Sequence, residues 1–467
     1  MEHWPAFEAK MRKNGESAAA IAAFKHNYQQ LVAGATGLLP ESSLEAVDSL
    51  PSLKKEPRSE EETTALLSRC AVLKLNGGLG TSMGLEKAKS LLTVKDDKTF
   101  LDLIVDQIRA LRKKHNATTR CILMNSFATS DDTTAYLDKH HPWLTKEQGW
   151  ELLQSASPKV DAATLAPATC AASPELEWCP PGHGDVYPSL AGSGLLDKLL
   201  QDGVRYLFVS NADNLGATLD LDILAFFARS GAPFLMEVCR RTNADKKGGH
   251  LARRKGDASA LLLRESAQCP DEDKAAFEDV ERHRFFNTNN LWVDLEALKK
   301  VLDASSNACL ELPLIRNKKT VNPRDASSAP VFQLETAMGA AIECFPGATA
   351  LVVPRSRFAP VKTCADLLLL RSDAYEIDAA GSVRCVKDPA PLVKLDDKHY
   401  KLVDALDKLV LEMPSLYQAS SLTVQGPVEF GPGLVVCGDV VIVNKGSKAV
   451  RVEQQMLVSD TFDLTEK

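Results

Sequence analysis

Short apolar runs alternate with longer stretches of helical spacing through the middle of the chain. Residues 71–75, 120–124, 205–210 and 234–239 have the length and composition of strands, while 100–114 and 219–229 carry apolar residues at helical intervals. Strands this uniformly apolar belong in a sheet covered on both faces, so the pattern predicts an α/β fold with a doubly wound, mostly parallel sheet. Ligands of such sheets sit beyond the carboxyl ends of the strands.

The flanks differ. Ala20, Ile21, Phe24, Tyr28, Leu31 and Val32 form one face of a helix predicted over 16–33 and stopped by Gly34. A charged, proline-punctuated connector follows over 41–69. Near the end, Leu422, Val428, Leu434 and Val440 recur at six-residue steps, as do Val424, Phe430, Val436 and Ile442, with Gly426, Pro432, Gly438 and Asn444 in the turn slot. That repeat predicts a small left-handed parallel β-helix, an antiparallel meander with coincidental spacing being the alternative. The expected division is an N-terminal helical segment (1–49), a central α/β domain (50–370) and a C-terminal β-helix domain (371–467).

Charge narrows the function classes. A formal net charge of -7 without a basic excess argues against nucleic acid as a partner, so any phosphate must be held locally. No run reaches the roughly 20 apolar residues that span a bilayer, and the first fifteen residues lack the apolar core of a secretion signal. Eleven cysteines without a Cys-x-x-Cys pair suit reduced thiols, and the expectation is a cytoplasmic protein without a membrane partner.

The densest chemistry lies between Lys74 and Gly84, where Gly77, Gly78, Gly80 and Gly84 follow the first strand directly. Glycines there let backbone amides approach a polyphosphate, as an anion nest requires, although a purely structural turn uses the same residues. A dinucleotide fingerprint fails because Met83 replaces its third glycine, despite the acidic pair Asp96 and Asp97 downstream. A Walker A loop ending at Lys89 and Ser90 fails on Met83 and Ala88. The remaining pattern is Gly-Gly-x-Gly-Thr (Gly77, Gly78, Gly80, Thr81) with Lys89 eight residues on.

In that pattern the chain resembles the nucleotide-diphospho-sugar pyrophosphorylases, specifically the UTP-glucose-1-phosphate uridylyltransferases. The likeness continues in order through the segments 123–127, 180–186, 210–216, 247–249, 286–292, 333–337 and 355–363, covering most of residues 71 to 370. It implies a Rossmann-like nucleotidyltransferase using UTP, glucose 1-phosphate and Mg²⁺ to make UDP-glucose and pyrophosphate, reversibly and without a covalent intermediate. Self-association through the C-terminal repeat is a further possibility that the sequence does not decide.

By the same resemblance, Lys89 and Lys362 are the catalytic cations and Asp213 holds the metal. Alone, an aspartate past the strand at 205–210 serves equally as a cap for the helix starting near Thr218, and Lys362 looks like a solvated surface lysine. The nucleotide set is Leu75, Gly77, Gly78, Leu79, Gly80, Thr81, Met124, Gln154, Gly182 and Asn211, with Gln154 reading uracil. The sugar set is His183, Gly249, Glu265, Asn287, Asn289 and Phe358; the asparagines suit hexose hydroxyls, or a turn folded back on its own backbone.

Two positions and one segment depart from the family pattern. Ala88 and Lys246 replace a proline and a valine, and Arg316 to Thr320 leaves open which basic residue there meets substrate. Two rivals remain: a relative acting on UDP-N-acetylhexosamine or several sugars, and a UDP-sugar sensor without catalysis.

Overall fold

The computed structural model describes residues 1–257, 260–305 and 309–465. A ten-stranded sheet stands at its centre, built from β1 (Leu44–Ala46), β2 (Cys70–Asn76), β3 (Arg120–Asn125), β4 (Glu151–Leu153), β5 (Tyr206–Asn211), β6 (Phe234–Arg240), β7 (His250–Arg254), β8 (Leu261–Arg264), β9 (Phe285–Asp294) and β10 (Thr349–Val352). β5, β2, β3 and β4 lie side by side and parallel, as do β6 and β10. The long β9 runs antiparallel between β5 and β6, and β1, β7 and β8 extend that side antiparallel. An apolar run carries no record of its partner's direction, so the antiparallel arm was invisible in the spacing.

Alternate residues of each parallel strand feed different cores. Ala71, Leu73, Ile122, Met124, Leu207 and Val209 belong to one cluster, whereas Cys70, Val72, Cys121, Leu123, Tyr206 and Phe208 belong to another. Helices α1 (Phe100–His115) and α2 (Leu221–Ser230) pack on the second face, and α3 (Leu295–Ala304) with the helix Val186–Gly192 on the first. The sheet is therefore covered on both sides. Thr99 starts α1 with a reciprocal capping box to Asp102.

A helix that the apolar spacing did not reveal, Trp4–Lys13, precedes the expected one, which spans Ala18–Val32 and is capped by Ser17. Phe7 locks the two together, its ring centroid 5.2 Å from Phe24 and 4.7 Å from Tyr28. The basic segment left open in the sequence forms a strand, Ile315–Thr320, paired antiparallel with Pro330–Glu335. Arg316 there lies over the Phe332 ring.

At the C-terminal end the strands all pair in parallel: β11 (Leu392–Lys394), β12 (Ser415–Gln425), β13 (Val428–Phe430), β14 (Val435–Val443), β15 (Val450–Val452), β16 (Met456–Val458) and β17 (Thr461–Asp463). Leu422 sits opposite Val440 and Val424 opposite Ile442. All eight repeat positions from Leu422 to Ile442 are buried, and Asn444 donates from its amide to the Pro427 and Lys448 carbonyls. Parallel register is incompatible with the antiparallel meander. The core of this ladder also takes in Met83, Phe100, Ala212, Leu215 and Leu367, so it is continuous with loops of the central sheet. Among the described residues no helix is long and apolar enough to cross a membrane, and all eleven cysteines are free.

Candidate active site

Three neighbouring parallel strands end on asparagine, at Asn76, Asn125 and Asn211. Asn76 donates to Asn125 Oδ1 and to Thr133 Oγ1 below the surface. Just beyond these ends lies a cavity of about 350 Å³. It gathers Leu75, Gly77, Gly78, Lys89, Met124, Gln154, Gly182, His183, Asn211 and Asp213 from the residues expected to bind nucleotide, sugar or metal, and adds Asn76, Ser90, Pro180 and Ala212. A larger hollow of about 590 Å³ beside the turn between the N-terminal helices carries Glu16 and Glu175 but no lysine or arginine. The smaller one is lined by an amine, that of Lys89.

The loop after β2 is shaped by its handedness. Gly80 has φ of 68°, a region where a side chain is strained, and it opens a single 3₁₀ turn, Thr81–Met83. Gly78 differs: a Cβ there would meet nothing within 4 Å, because the space in front of it is the cavity. Leu79, Gly80 and Thr81 build the turn and do not line the cavity. Asp96 and Asp97, the tempting acidic pair, form the left-handed turn between the short strands Thr93–Lys95 and Lys98–Thr99.

Lys89 returns to this loop through its backbone N–H, which donates to the Gly78 carbonyl at 3.0 Å. Its amine donates to Asp213 Oδ2 at 2.6 Å and to the Val361 carbonyl. Asp213 is not a helix cap: Asp220 does that work, accepting from the backbone N–H groups of Asp222 and Ile223. The Asp213 carbonyl in turn accepts the Val361 N–H, fastening the loop after β5 to the segment that carries Phe358 and Lys362.

Under that loop lies a lysine given no role in the sequence reading. Lys74 of β2 is fully enclosed, donating to Ser210 Oγ at 2.8 Å and the Ala217 carbonyl at 2.6 Å, one on either side of Asp213 in the chain. Burial pulls its amine down to about 7. Beside it, Arg357 makes two hydrogen bonds to the buried Glu237, which also accepts from Trp292 and Asn290. Asn214 joins this network to the Arg357 and Ala359 backbone. A lysine inside an otherwise apolar strand was the available signal for such a core.

His183 lines the cavity as a neutral ring. Its Nδ1 accepts the Met338 N–H at 2.9 Å, and burial holds its pKa down at about 4. Gln154 donates to the Gly182 carbonyl at 3.0 Å, with its oxygen toward Gly77.

The other predicted sugar residues form a second cluster set by the β7–β9 side of the sheet. Asn287 takes the Gly249 carbonyl through its N–H and donates from its amide to Asn289 Oδ1 at 2.9 Å. Asn289 adopts a positive φ of 59°, one of few non-glycine residues to do so. A Cβ on Gly249 would lie 2.5 Å from Glu265, so that glycine makes room for the carboxylate. Burial raises the Glu265 pKa, opposed by Asn287 and the Lys362 charge. Lys362 stands over the Phe358 ring at 5.7 Å. Gly249, Glu265, Asn287, Asn289, Phe358 and Lys362 are thus linked one to the next, joined to the cavity through Val361 but absent from its walls.

A profile of the family described as UTP-glucose-1-phosphate uridylyltransferase matches residues 21–436. The chain belongs to that family. Among similar uridylyltransferases, the one from Saccharomyces cerevisiae is 43% identical over 82% of this chain and 76% of its own length. The one from Solanum tuberosum is 40% identical over 88% and 84%. Among solved structures, UDP-glucose pyrophosphorylase from Leishmania major, known in open and closed forms, superposes with TM-score 0.93 at 45% identity, covering 99% of both chains. A mutant of the L. major enzyme in complex with UDP-glucose reaches 0.94 at 46%, with the same coverage. UDP-glucose phosphorylase from Trypanosoma brucei gives 0.90 at 45%, covering 99% of this chain and 100% of the other. The uridylyltransferase match spans both clusters, from the glycine loop to Lys362 and into the ladder.

Proposed function

We propose that this protein transfers the uridylyl group of UTP to glucose 1-phosphate, forming UDP-glucose and releasing pyrophosphate. The observation that carries the reading is the meeting of the glycine loop, Lys89 and Asp213 in one cavity at the carboxyl ends of β2, β3 and β5, in a chain of this family.

The attacking oxygen of glucose 1-phosphate is already anionic at neutral pH, so the reaction needs no general base. It needs two polyanions brought into line with their charges offset. Amides of the loop from Gly77 and the Lys89 ammonium face the phosphates from one side. Lys362, on the Phe358 segment, faces them from the other. Gln154 and Gly182 hold the base with Met124 and Leu75 beneath it, and Asn211 takes the ribose side. The sugar lies among His183, Gly249, Glu265, Asn287, Asn289 and Phe358, where a neutral imidazole and amides both donate and accept.

Nucleotidyltransferases generally depend on a divalent cation, and we assign Mg²⁺ to Asp213. The residues fit that ion. Mg²⁺ is commonly held by one or two carboxylates plus substrate phosphates and water, and Asp213 supplies a cavity-facing carboxylate, whereas no cluster of three or more His, Cys, Asp or Glu exists among the described residues. When bound, the ion would withdraw charge from the α-phosphate.

We divide the chain into the helical segment 1–49, the catalytic domain 50–370 and a C-terminal domain 371–467. The eighteen-residue offset of Leu422 from Val440 and of Val424 from Ile442 supports coils of a left-handed β-helix in the last. Its exposed Tyr417, Met456 and Val458 make it the face to which we assign self-association.

Pyrophosphate release tests the reading, with UTP, ATP, CTP and GTP paired against glucose, galactose and N-acetylglucosamine 1-phosphates, with and without Mg²⁺. Turnover confined to UTP, glucose 1-phosphate and the metal is expected. Preference for the N-acetylglucosamine substrate would transfer the chain to the hexosamine relatives, and binding of UDP-glucose without any turnover would make it a sensor.

A further inference from the structure

The ion pair between Lys89 and Asp213 gives one carboxylate two incompatible partners. The pair is short, 2.6 Å, and sheltered, the two side chains being 16% and 22% exposed. On the reading proposed above, the same carboxylate holds the divalent cation. A metal seated on Asp213 and an ammonium hydrogen-bonded to it would be two cations sharing one anion, at distances where partial burial leaves their repulsion poorly screened.

We propose that in the free enzyme Lys89 occupies Asp213 and shuts out the divalent cation, and that the nucleotide's phosphates draw the lysine off, so that metal and nucleotide enter together. Charge supports this. Among the residues lining the cavity, Asp213 is the one acid and Lys89 the one amine, with His183 neutral beside them. The empty pair is therefore balanced. A bare cation has to displace an ammonium that then keeps only the Val361 carbonyl. A bare polyanion meets the Asp213 carboxylate as soon as the lysine turns toward it. A polyanion and a dication arriving together satisfy both groups at once.

Geometry gives the lysine somewhere to go. Its backbone is tied to the Gly78 carbonyl, so the side chain is rooted in the loop that the phosphates occupy on this reading, and Gly78 itself faces open space. Lys89 is then more than a phosphate contact in the loaded enzyme; in the free enzyme it is the group the metal must beat.

The test uses Mn²⁺ alone, without nucleotide, titrated into the full-length protein while the electron paramagnetic resonance signal of the free aqua ion is followed. K89Q, which releases Asp213, is expected to bind Mn²⁺ at least tenfold more tightly than the unaltered protein. K89R, which keeps a cation on the carboxylate, should stay at the unaltered value, and thermal unfolding of each variant checks the fold. Equal affinity of K89Q and the unaltered protein overturns the proposal, as does a gain in K89R matching that in K89Q. The K89Q/D213N double variant separates the two ideas: loss of the gain supports exclusion at Asp213, whereas its survival places the metal elsewhere and removes the assignment of Asp213 on which the exclusion rests.

Discussion

The carboxyl edge of the central sheet and the C-terminal ladder are made from the same material, parallel strands rich in valine and leucine, and use it in opposite ways. In the ladder each inward position continues the last, Leu422 over Val440 and Val424 over Ile442, so the apolar column is unbroken. At the edge β2, β3 and β5 each stop on an asparagine, and the backbone turns out into polar loops before a cavity. One region gains stability by repetition. The other gives up packing where the strands end, and its lost contacts become room for a ligand.

If that contrast is right, substitutions at the edge should cost rate and those in the ladder should cost stability. The largest effect is expected from K89A or D213N: turnover lower by roughly 10³-fold, about 4 kcal/mol of lost transition-state stabilisation, with an unfolding midpoint near that of the unaltered protein. Steady-state pyrophosphate release and a thermal melt measure both, and near-normal turnover in either variant breaks the comparison. Next comes L422A, which opens a hole in the column and should cost about 2–5 kcal/mol in urea unfolding, while the fraction still folded keeps its kcat. A fall in kcat at full folding would mean the ladder reaches into the chemistry.

A smaller change is expected from G78A. The added methyl meets no protein atom and the backbone angle tolerates it, but it projects into the cavity that the proposed reaction gives to phosphate. The KM for UTP should rise about tenfold, equivalent to about 1.4 kcal/mol, with little change in melting temperature. Gly80 is the control, since its φ of 68° makes G80A a stability defect.

The smallest effect sharpens the picture through pH. His183 has its folded pKa pulled down to about 4, so the unfolded chain takes up a proton below about 6.5 that the folded protein refuses, and stability falls as pH drops from there toward 4. Asp185 is the reverse case. Burial lifts it to about 7, so its contribution is present at low pH and lost as pH rises through neutrality. The two oppose each other between about pH 4 and 6.5. H183Q should therefore lose less stability on acidification than the unaltered protein, the difference between their melting temperatures moving in the variant's favour as pH is lowered from 7 to 5; an unchanged difference would mean the imidazole titrates normally.

Much of this was legible in the chain. The four strand runs, the two central helices and the buried hexapeptide columns all appear where their spacing put them, because periodicity records which side chains face a core. Partner direction is not recorded there, which is why β9 and the antiparallel arm were unforeseen. The glycine loop, Lys89, Gln154, His183 and Asp213 converge because they sit close after strand ends, where local sequence and position coincide. The Gly249, Glu265 and Asn287 cluster depends on the register of β7 and β9, a long-range fact that entered the reading only through resemblance. Lys74 and Glu237 are charges set in apolar strands, visible as exceptions whose partners, Ser210 and Arg357, lie more than a hundred residues away.

One consequence follows from the seam where Met83, Ala212 and Leu215 share a core with Leu422 and Val440. The tail is not a cassette. Grafting the corresponding piece from a relative would import half of a fitted joint, and the mismatch would surface next to the glycine loop and the Asp213 turn. Engineers wishing to exchange that piece should carry residues 83, 212 and 215 along with it.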